Sequence, residues 1–241
     1  MPADAGGVTS ADDERLAPLG ARLAAIDARI ADAARRADRR PEDITRIVVT
    51  KFHPASLVRD LRALGVQEVG ENRQQELSAK RDELADVDLR WHFIGQAQTN
   101  KAGAIRRSAD AVHSVDRARL ADALHRAAED DDRLDVLVQV NLTADAGRGG
   151  AEPGAVPALV EHVLSLDSLR LRGVMAVAPL DEEPAAAFAR LRGIADGVRT
   201  LAPAATWISA GMTGDFAEAI AAGATHLRIG SAITGPRPDR G

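Results

Sequence analysis

The feature that most constrains this chain is a repeated alternation of short apolar strands with amphipathic helices. Eight runs have the β-branched and aliphatic composition of buried strands, and every run but the last precedes a stretch with helical periodicity. Because strand–helix–strand connections are right-handed and return the chain in one direction, the strands are expected to be parallel. Eight such units predict an α/β fold, a single-domain (β/α)8 barrel, with an open doubly wound sheet as the alternative.

The predicted units run from residue 44 to the C-terminal region. The strands are predicted over 44–50, 67–70, 89–94, 111–115, 135–141, 171–178, 206–209 and 225–229. The helices are predicted near 55–64, 72–84, 99–107, 117–129, 155–166, 182–200 and 213–222. No linker typical of a domain boundary interrupts them.

The two ends of the chain flank this repeat. Residues 1–13 are small and acidic and are predicted to be a disordered tail. An apolar stripe that begins at Leu16 then predicts a helix that ends before Pro41. That helix would either cap the barrel floor or stand in for the missing last outer helix. The barrel with its extra helix is therefore assigned to residues 14–235, and residues 236–241 are predicted to be a second tail.

Composition excludes several classes of function. The 241-residue chain has no cysteine, which excludes disulfides, thiolate metal sites and cysteine nucleophiles. Its six histidines show no metal-ligand spacing, so no metal site is predicted. A net charge of −5 argues against a nucleic-acid partner. Since neither a signal peptide nor a membrane-spanning run is recognisable, we expect a soluble, cytoplasmic protein without a membrane partner.

One lysine stands where a barrel carries its working residues. The chain has only three lysines, and Lys51 ends the first predicted strand, whereas Lys80 and Lys101 lie in predicted helices. The carboxyl ends of barrel strands form the functional face. Lysine can lose its proton and attack a carbonyl to form an imine, which arginine cannot do. Lys51 is therefore either a solvated strand end or an imine-forming nucleophile.

The loops after the seventh and eighth strands both combine glycine with a small hydroxyl residue. They carry Ser209 with Gly211, and Gly230 with Ser231. Glycine lets the backbone approach a ligand and leaves N–H groups free to point at an anion. Turn chemistry alone would use the same residues. Because barrels often bind phosphate with these two loops, their occurrence at both positions favours a phosphate site.

An inward-facing arginine is the third unusual feature. Strand alternation places Leu227 and Ile229 toward the helices and Arg228 toward the barrel interior. A buried arginine needs a partner, and the candidates are an ion pair with Glu71 or Asp116, or a ligand's ring nitrogen or acid group. An imine-forming lysine, two phosphate-type loops and an inward arginine together suggest pyridoxal 5′-phosphate (PLP) as the cofactor.

Longer runs of the sequence resemble the motifs of a known family. The runs are VTK (49–51), GEN (70–72) with QE (75–76), WHFIG (91–95), QTNK (98–101), HSVD (113–116), LRGVM (171–175), GMTGDF (211–216) and RIGSA (228–232). They occur in order between about residues 15 and 236, which is nearly the whole chain. The family that they resemble is the pyridoxal phosphate homeostasis proteins.

The resemblance implies both a fold and a set of site residues. The fold would be a single-domain barrel related to the N-terminal domain of alanine racemase, with PLP held as an imine on Lys51. The resemblance further implies cofactor contacts from Asn72, His92, Ser209, Met212, Arg228, Gly230 and Ser231, and Gly211 joins them from the loop argument. Ser209 and the Gly230–Ser231 amides would hold the phosphate, and Arg228 would face the pyridine nitrogen. Two departures, Arg73 and Ala97, bear on the shape of the pocket rather than on its chemistry.

The implied function is to buffer or deliver PLP without catalytic residues, and apo PLP-dependent enzymes are the candidate partners. An amino-acid racemase that uses the same cofactor is the alternative. The related racemases take a second acid/base from a tyrosine on a second domain, and this chain has neither. A third candidate is an aldolase that forms an imine on Lys51 without a cofactor, which would require a phosphorylated substrate.

Overall fold

Eight parallel strands close into a barrel in the order in which they occur in the sequence. The computed structural model describes residues 11–129, 132–145 and 147–237. The strands are β1 Thr45–Val49, β2 Glu68–Glu71, β3 Arg90–Phe93, β4 Ala111–Val115, β5 Leu134–Gln139, β6 Leu169–Met175, β7 Trp207–Ser209 and β8 His226–Ile229. Closure between β1 and β8 confirms the predicted barrel and excludes the open sheet.

The helices form the outer layer. They are α1 Ala11–Arg36, α2 Ala55–Ala63, α3 Gln74–Glu83, α4 Ala102–Ser108, α5 Ala118–Arg126, α6 Val156–Leu164, α7 Pro184–Leu201, α8 Phe216–Ala221 and α9 Ser231–Thr234. Every predicted strand and helix is present, and among the strands the largest boundary change is in β6. That strand begins and ends earlier than predicted, because it pairs with β5 from Leu169 through Met175.

Helix α1 takes the place of the missing eighth outer helix. It packs against α8 and α9, and Gly20 approaches Leu64 at the end of α2. Arg39, just beyond the helix, donates to the backbone carbonyls of Ile220 and Ala224. The four-residue α9 is too short to cover the gap between β8 and β1. The structure therefore decides between the two positions that the sequence left open for this helix.

The predicted tails lie mostly outside the described residues, since these exclude 1–10 and 238–241. Helix α1 begins at Ala11, three residues before the boundary that we predicted. Neither glycine nor proline interrupts the segment from Ala11 to Ala17, so nothing in its composition prevents an early helix start. At the other end, Pro236 and Arg237 follow α9 without regular structure.

Strand side chains alternate between two environments. One set packs against the helices in a continuous apolar core, to which Val48, Trp91 and Leu227 belong. Full burial of a large apolar side chain contributes about 1.5–3 kcal/mol each. The other set fills the barrel interior, where Ile47 lies in register with Arg228. This alternation brings a charged side chain from β8 into the middle of the barrel.

Candidate functional site

A cavity of about 530 Å³ opens at the carboxyl ends of the strands. Its volume lies in the range of small-molecule sites, and its position is the face on which barrels bind ligands. Six of the nine predicted site residues line it, namely Lys51, Asn72, Met212, Arg228, Gly230 and Ser231. The fold therefore brings together, at the strand ends, residues that are up to 180 positions apart in the sequence.

A second cavity of about 560 Å³ lies at the opposite end of the barrel, the floor. Its wall is dominated by arginine and aspartate side chains that pair with one another. Buried Asp135, for example, accepts hydrogen bonds from Arg90 and Arg170. Because most of its charges are already paired, the floor cavity is a weaker candidate for ligand binding than the cavity at the strand ends.

The turn that carries Lys51 is held from both sides. Lys80 Nζ donates to the carbonyl oxygen of Thr50 at 2.8 Å, and the Phe52 N–H donates to Glu76 Oε2 at 2.8 Å. Phe52 has a φ of 69°, a left-handed conformation that costs energy for an aromatic residue. The contacts on either side hold this strained turn and direct Lys51 toward the cavity.

The amine of Lys51 is free to react. Within the described residues it makes no hydrogen bond or ion pair, and its contact with an aromatic ring, that of Phe52, is at 5.9 Å from the centroid. Lys80, in contrast, is buried and pairs with Glu71 at 2.5 Å. Lys101 belongs to a turn before α4. Of the three lysines, Lys51 is the one that lines the cavity.

The buried pair behind Lys51 forms a small polar cluster. Glu71 Oε1 accepts from Lys80 and from Thr50 Oγ1, the latter at 2.6 Å. Burial raises the pKa of Glu71, although the charge of Lys80 and both hydrogen bonds oppose that rise. Glu71 Oε2 is buried without a partner among the described residues. The cluster ties the residue after β1 to β2 and α3 directly beneath Lys51.

Arg228 is a buried cation whose direct partners are neutral. Its guanidinium donates to Ser209 Oγ at 2.7 Å and to the Ala176 carbonyl oxygen at 2.8 Å. Burial lowers the pKa of Arg228 to about 10, while the more distant Asp215 opposes the change. Within the described part of the chain, no carboxylate forms an ion pair with it.

Neither of the two carboxylates that we considered as ion-pair partners of Arg228 serves that role. Glu71 pairs with Lys80, and Asp116 pairs with Arg117 at 2.5 Å. The predicted inward direction of Arg228 is correct, and its side chain lines the cavity. A ligand is therefore the remaining candidate for a partner that faces Arg228 from the cavity.

The loops after β7 and β8 form one wall of the cavity. Thr213, Gly214, Gly230 and Ser231 line it. Gly230 has φ −109° and ψ −105°, a combination outside the regions that residues with a Cβ adopt readily. Ser231 begins α9, and the first N–H groups of a helix have no partner within it. This wall can donate hydrogen bonds to an anionic group.

Three predicted site residues lie behind the cavity wall rather than on it. Ser209 is fully buried and hydrogen-bonded to Arg228 and His113. His92 is fully buried between Glu68 and His113. Gly211 has φ 93°, and a Cβ there would lie 2.7 Å from that of Ala219 in α8. Its glycine thus serves the turn and the helix packing.

Sequence reasoning missed several residues that line the cavity, among them Phe52, His53, Val177, Thr213 and Arg237. Two signals were available for some of them. Phe52 and His53 directly follow Lys51, and Thr213 lies in the same loop as Met212. Burial, followed by the charge of Lys80, lowers the pKa of His53. Val177 lies at the carboxyl end of the sixth predicted strand, which is a weaker signal of the same kind, whereas no comparable signal marks Arg237.

The two departures from the family pattern do not line the cavity. Ala97 is buried in the core. Arg73 is exposed, and its guanidinium lies 4.9 Å from the centroid of the Phe52 ring, which does line the cavity. Arg73 therefore bears on the shape of the site only through Phe52.

The fold and the site together define a class of protein. It is a (β/α)8 barrel with a small-molecule site at its strand ends, built from a free lysine, a buried arginine and two loops suited to an anion. Within the described residues, no helix is long and apolar enough to span a bilayer, and no cluster of side chains is arranged to hold a metal.

Comparison with known proteins narrows this class. The chain matches the family described as alanine racemase, N-terminal domain, over residues 21–238. It is 41% identical over 248 residues to the pyridoxal phosphate homeostasis protein of Mycobacterium tuberculosis (strain ATCC 25618 / H37Rv), an alignment that covers 95% of this chain and 96% of that protein. The chain belongs to the family of pyridoxal phosphate homeostasis proteins.

Solved structures agree with this assignment. PipY of Synechococcus elongatus PCC7942, solved with PLP bound, is 35% identical with a TM-score of 0.79, and the match covers 90% of this chain and 100% of that chain. An alanine racemase from Corynebacterium glutamicum has a TM-score of 0.67 at 13% identity, covering 90% of this chain and 60% of that chain. The second likeness is one of fold alone.

Proposed function

We propose that this protein binds PLP at the strand-end cavity and buffers or delivers it, without catalytic turnover of its own. The observation that carries the proposal is a cavity lined by both a free lysine amine and a buried guanidinium that no carboxylate of the described residues contacts. Support also comes from the names of the relatives and from PipY, which was solved with PLP. Detection of PLP in the purified protein, and its release to an apo PLP-dependent enzyme, tests the proposal.

The residues on the cavity wall fit the three ends of this cofactor. Lys51 would hold the aldehyde carbon as a Schiff base, which forms with loss of water. The wall of Thr213, Gly230 and Ser231 would donate to the phosphate. Arg228 would face the pyridine nitrogen. Asn72 Oδ1 is buried without a partner among the described residues, and a ligand donor would satisfy it.

When bound, PLP supplies an aldehyde and a ring that can withdraw electrons. The protein groups around the ring nitrogen determine how strongly the ring withdraws them. Arg228 has donors only and remains charged, so it disfavours protonation of a ring nitrogen in front of it. A site of this kind retains the cofactor while activating amino acids poorly. We further propose that the protein works in the cytoplasm and that apo PLP-dependent enzymes are its partners.

We expect the phosphate to dominate affinity. The wild-type protein should bind pyridoxal, which lacks the phosphate, far more weakly than PLP. Ser231→Ala keeps the backbone N–H but removes the hydroxyl, which we expect to donate to the phosphate as well, and it should weaken PLP binding about 10- to 100-fold, because a hydrogen bond to a charged group contributes about 1.5–3 kcal/mol. Fluorescence or absorbance titration measures both effects. Ser165→Ala, an exposed serine at the end of α6, is the control and should leave affinity unchanged. Equal affinities for the two vitamers would contradict the phosphate wall.

We also expect the wild type to show no appreciable racemase or transaminase turnover, while its bound PLP passes to an added apo-enzyme. Arg228→Glu should favour the protonated ring, because a carboxylate accepts the hydrogen that a guanidinium cannot. Absorbance spectra of the loaded variant report the ring protonation, and amino-acid assays report the turnover. Substantial turnover by the wild type, or failure to transfer any cofactor, would instead indicate an enzyme.

A further inference from the structure

A chain of hydrogen bonds runs through the barrel interior from the cavity to the floor. Arg228 Nη1 donates to Ser209 Oγ at 2.7 Å, and Ser209 Oγ lies 2.9 Å from His113 Nδ1. His113 Nε2 lies 2.8 Å from His92 Nδ1, and His92 Nε2 contacts Glu68 Oε2. We call this chain of five side chains the relay. Arg228, Ser209, His113 and His92 come from four different strands: β8, β7, β4 and β3. Glu68 begins β2 at the floor and is partly exposed.

The two ends of the relay restrict its direction. Arginine can only donate, whereas an ionised carboxylate can only accept. Although burial raises the pKa of Glu68, its hydrogen bond and electrostatic interaction with His92 and, after them, the charge of Arg90 outweigh that effect and keep its pKa below the usual value. Glu68 therefore accepts from His92 Nε2–H. Between these fixed ends lie two imidazoles and one hydroxyl, whose hydrogens have two possible arrangements.

In the first arrangement the two histidines and the serine are neutral, and every hydrogen bond is donated in the direction of Glu68. His92 carries its hydrogen on Nε2, so its Nδ1 accepts from His113 Nε2–H. His113 Nδ1 then accepts from the hydroxyl of Ser209, and Ser209 Oγ accepts from Arg228. Each donor meets one acceptor, and the charges lie only at the two ends of the relay.

In the second arrangement His92 is an imidazolium. Its Nδ1–H then donates to His113 Nε2, and His113 Nδ1–H donates to Ser209 Oγ. That places a positive charge on a fully buried residue inside a barrel that already contains Arg228. Glu68 contacts His92 Nε2 in both arrangements, but charging a fully buried imidazole beside a second interior cation still carries a desolvation cost of several kcal/mol. Burial holds the pKa of His113 well below its usual range, so an imidazolium at His113 is disfavoured as well. The neutral arrangement is favoured on electrostatic grounds.

We propose that Glu68, His92 and His113 are positioning residues for Arg228, acting through Ser209 along a one-way hydrogen-bond relay. Glu68 is the carboxylate at which the hydrogen bonds that begin at the buried guanidinium end, and among the described residues no carboxylate contacts that guanidinium. Because the hydroxyl hydrogen of Ser209 is donated to His113, it is not available to a ligand. Ser209 and His92 therefore act behind the cavity wall. Any effect of the relay on bound PLP rests on the proposed function, whereas the hydrogen bonds of the relay do not depend on PLP.

The test uses the full chain without cofactor, labelled with ¹⁵N. Long-range ¹⁵N–¹H correlation spectra near neutral pH distinguish the tautomers of histidine, and assignment follows from His92→Gln and His113→Gln. We expect both residues to be neutral, with the hydrogen on Nε2. A hydrogen on Nδ1 of either residue, or an imidazolium at His92, overturns the relay. Failure to bind PLP would leave this result unchanged, so the two proposals fail separately.

Transmission along the relay provides a second measurement. Glu68→Gln should shift the ¹⁵N resonances of His113 and of the Arg228 guanidinium, although neither touches residue 68. The matched control is Asp122→Asn, whose partner His162 lies 2.7 Å away on the outer surface. It should shift His162 and leave His113 unchanged. If Glu68→Gln shifts only His92, the hydrogen bonds are independent and the relay is wrong.

A rescue separates the role of the hydroxyl from packing. Ser209→Ala removes the donor to His113 Nδ1 and should allow a mixture of its tautomers. Ser209→Thr retains the hydroxyl and should restore the Nε2–H form. Equal spectra for the two variants overturn the assignment of Ser209 as the link. The measurement for both variants is the tautomer of His113. A loss of stability that is common to both variants would therefore not produce the expected difference between them.

Discussion

Lys51→Ala is expected to abolish covalent retention of PLP. Under the proposed function, treatment of wild-type protein with PLP and borohydride leaves a stable adduct, and peptide mapping locates it on Lys51. Neither Lys51→Ala nor Lys51→Arg should retain it, because arginine keeps the charge but does not form an imine. The variants should also lack the visible absorbance of the loaded wild type.

Lys101→Ala is the matched control, since it removes a lysine from the start of α4 that does not line the cavity. It should retain the adduct in full. Lys80 is unsuitable as a control because it is buried against Glu71. An adduct that maps mainly to Lys80 or Lys101 in the wild type would contradict the assignment of Lys51.

Lys80→Met is expected to have the largest effect on stability. It leaves Glu71 as an unpaired carboxylate in the interior, and breaking a buried ion pair in this way costs about 3–5 kcal/mol. For a chain of this size the corresponding fall in Tm is about 6–20 °C. Denaturant and thermal unfolding measure the change. Arg59→Met, which removes one partner of an exposed pair with Asp86, should cost less than about 1 kcal/mol.

The loss in Lys80→Met should depend on pH with a definite sign. Burial raises the pKa of Glu71 in the folded state, and removal of Lys80 raises it further. A group whose folded pKa exceeds its unfolded value binds a proton more tightly when folded, so stability falls as pH rises between the two values. The destabilisation should therefore be larger near pH 8 than near pH 5.

A double variant separates charge burial from packing. Glu71→Gln combined with Lys80→Met removes the unpaired charge and should recover part of the stability lost in the single variant. An additive loss would show that packing, rather than the uncompensated carboxylate, dominates. Because Lys80 also holds the Thr50 carbonyl next to Lys51, the double variant should form the PLP adduct more slowly even when it is folded.

The barrel was predictable because its signals are local. Most strand residues are buried and most strands contain a short apolar run, and the helices show apolar stripes, so the order of elements follows from neighbouring residues. Lys51 was identifiable for the same reason, since its position at a strand end is visible within a few residues. The boundaries of β6 were not, because its pairing with β5 decides where it begins and ends.

The site was predictable in part. Strand alternation correctly placed Arg228 inside the barrel, and the loops after β7 and β8 do supply one wall of the cavity. The partner of Arg228 was not predictable, because Glu71 is held by Lys80 from α3. Gly211 looked like a phosphate glycine, but the close approach of α8 accounts for it. Turn glycines and ligand glycines have the same sequence signature.

By itself, the sequence determined the alternation of strands and helices, the strand-end position of Lys51 and the inward direction of Arg228, since each depends on periodicity along a few residues. Only the tertiary structure decided that α1 replaces the eighth outer helix and that Ser209 lies behind the cavity wall. It alone showed that Arg228, Ser209, His113, His92 and Glu68 are joined. The partners in that chain are 19 to 96 residues apart, and their contacts exist only because closure of the barrel brings five strands around one axis.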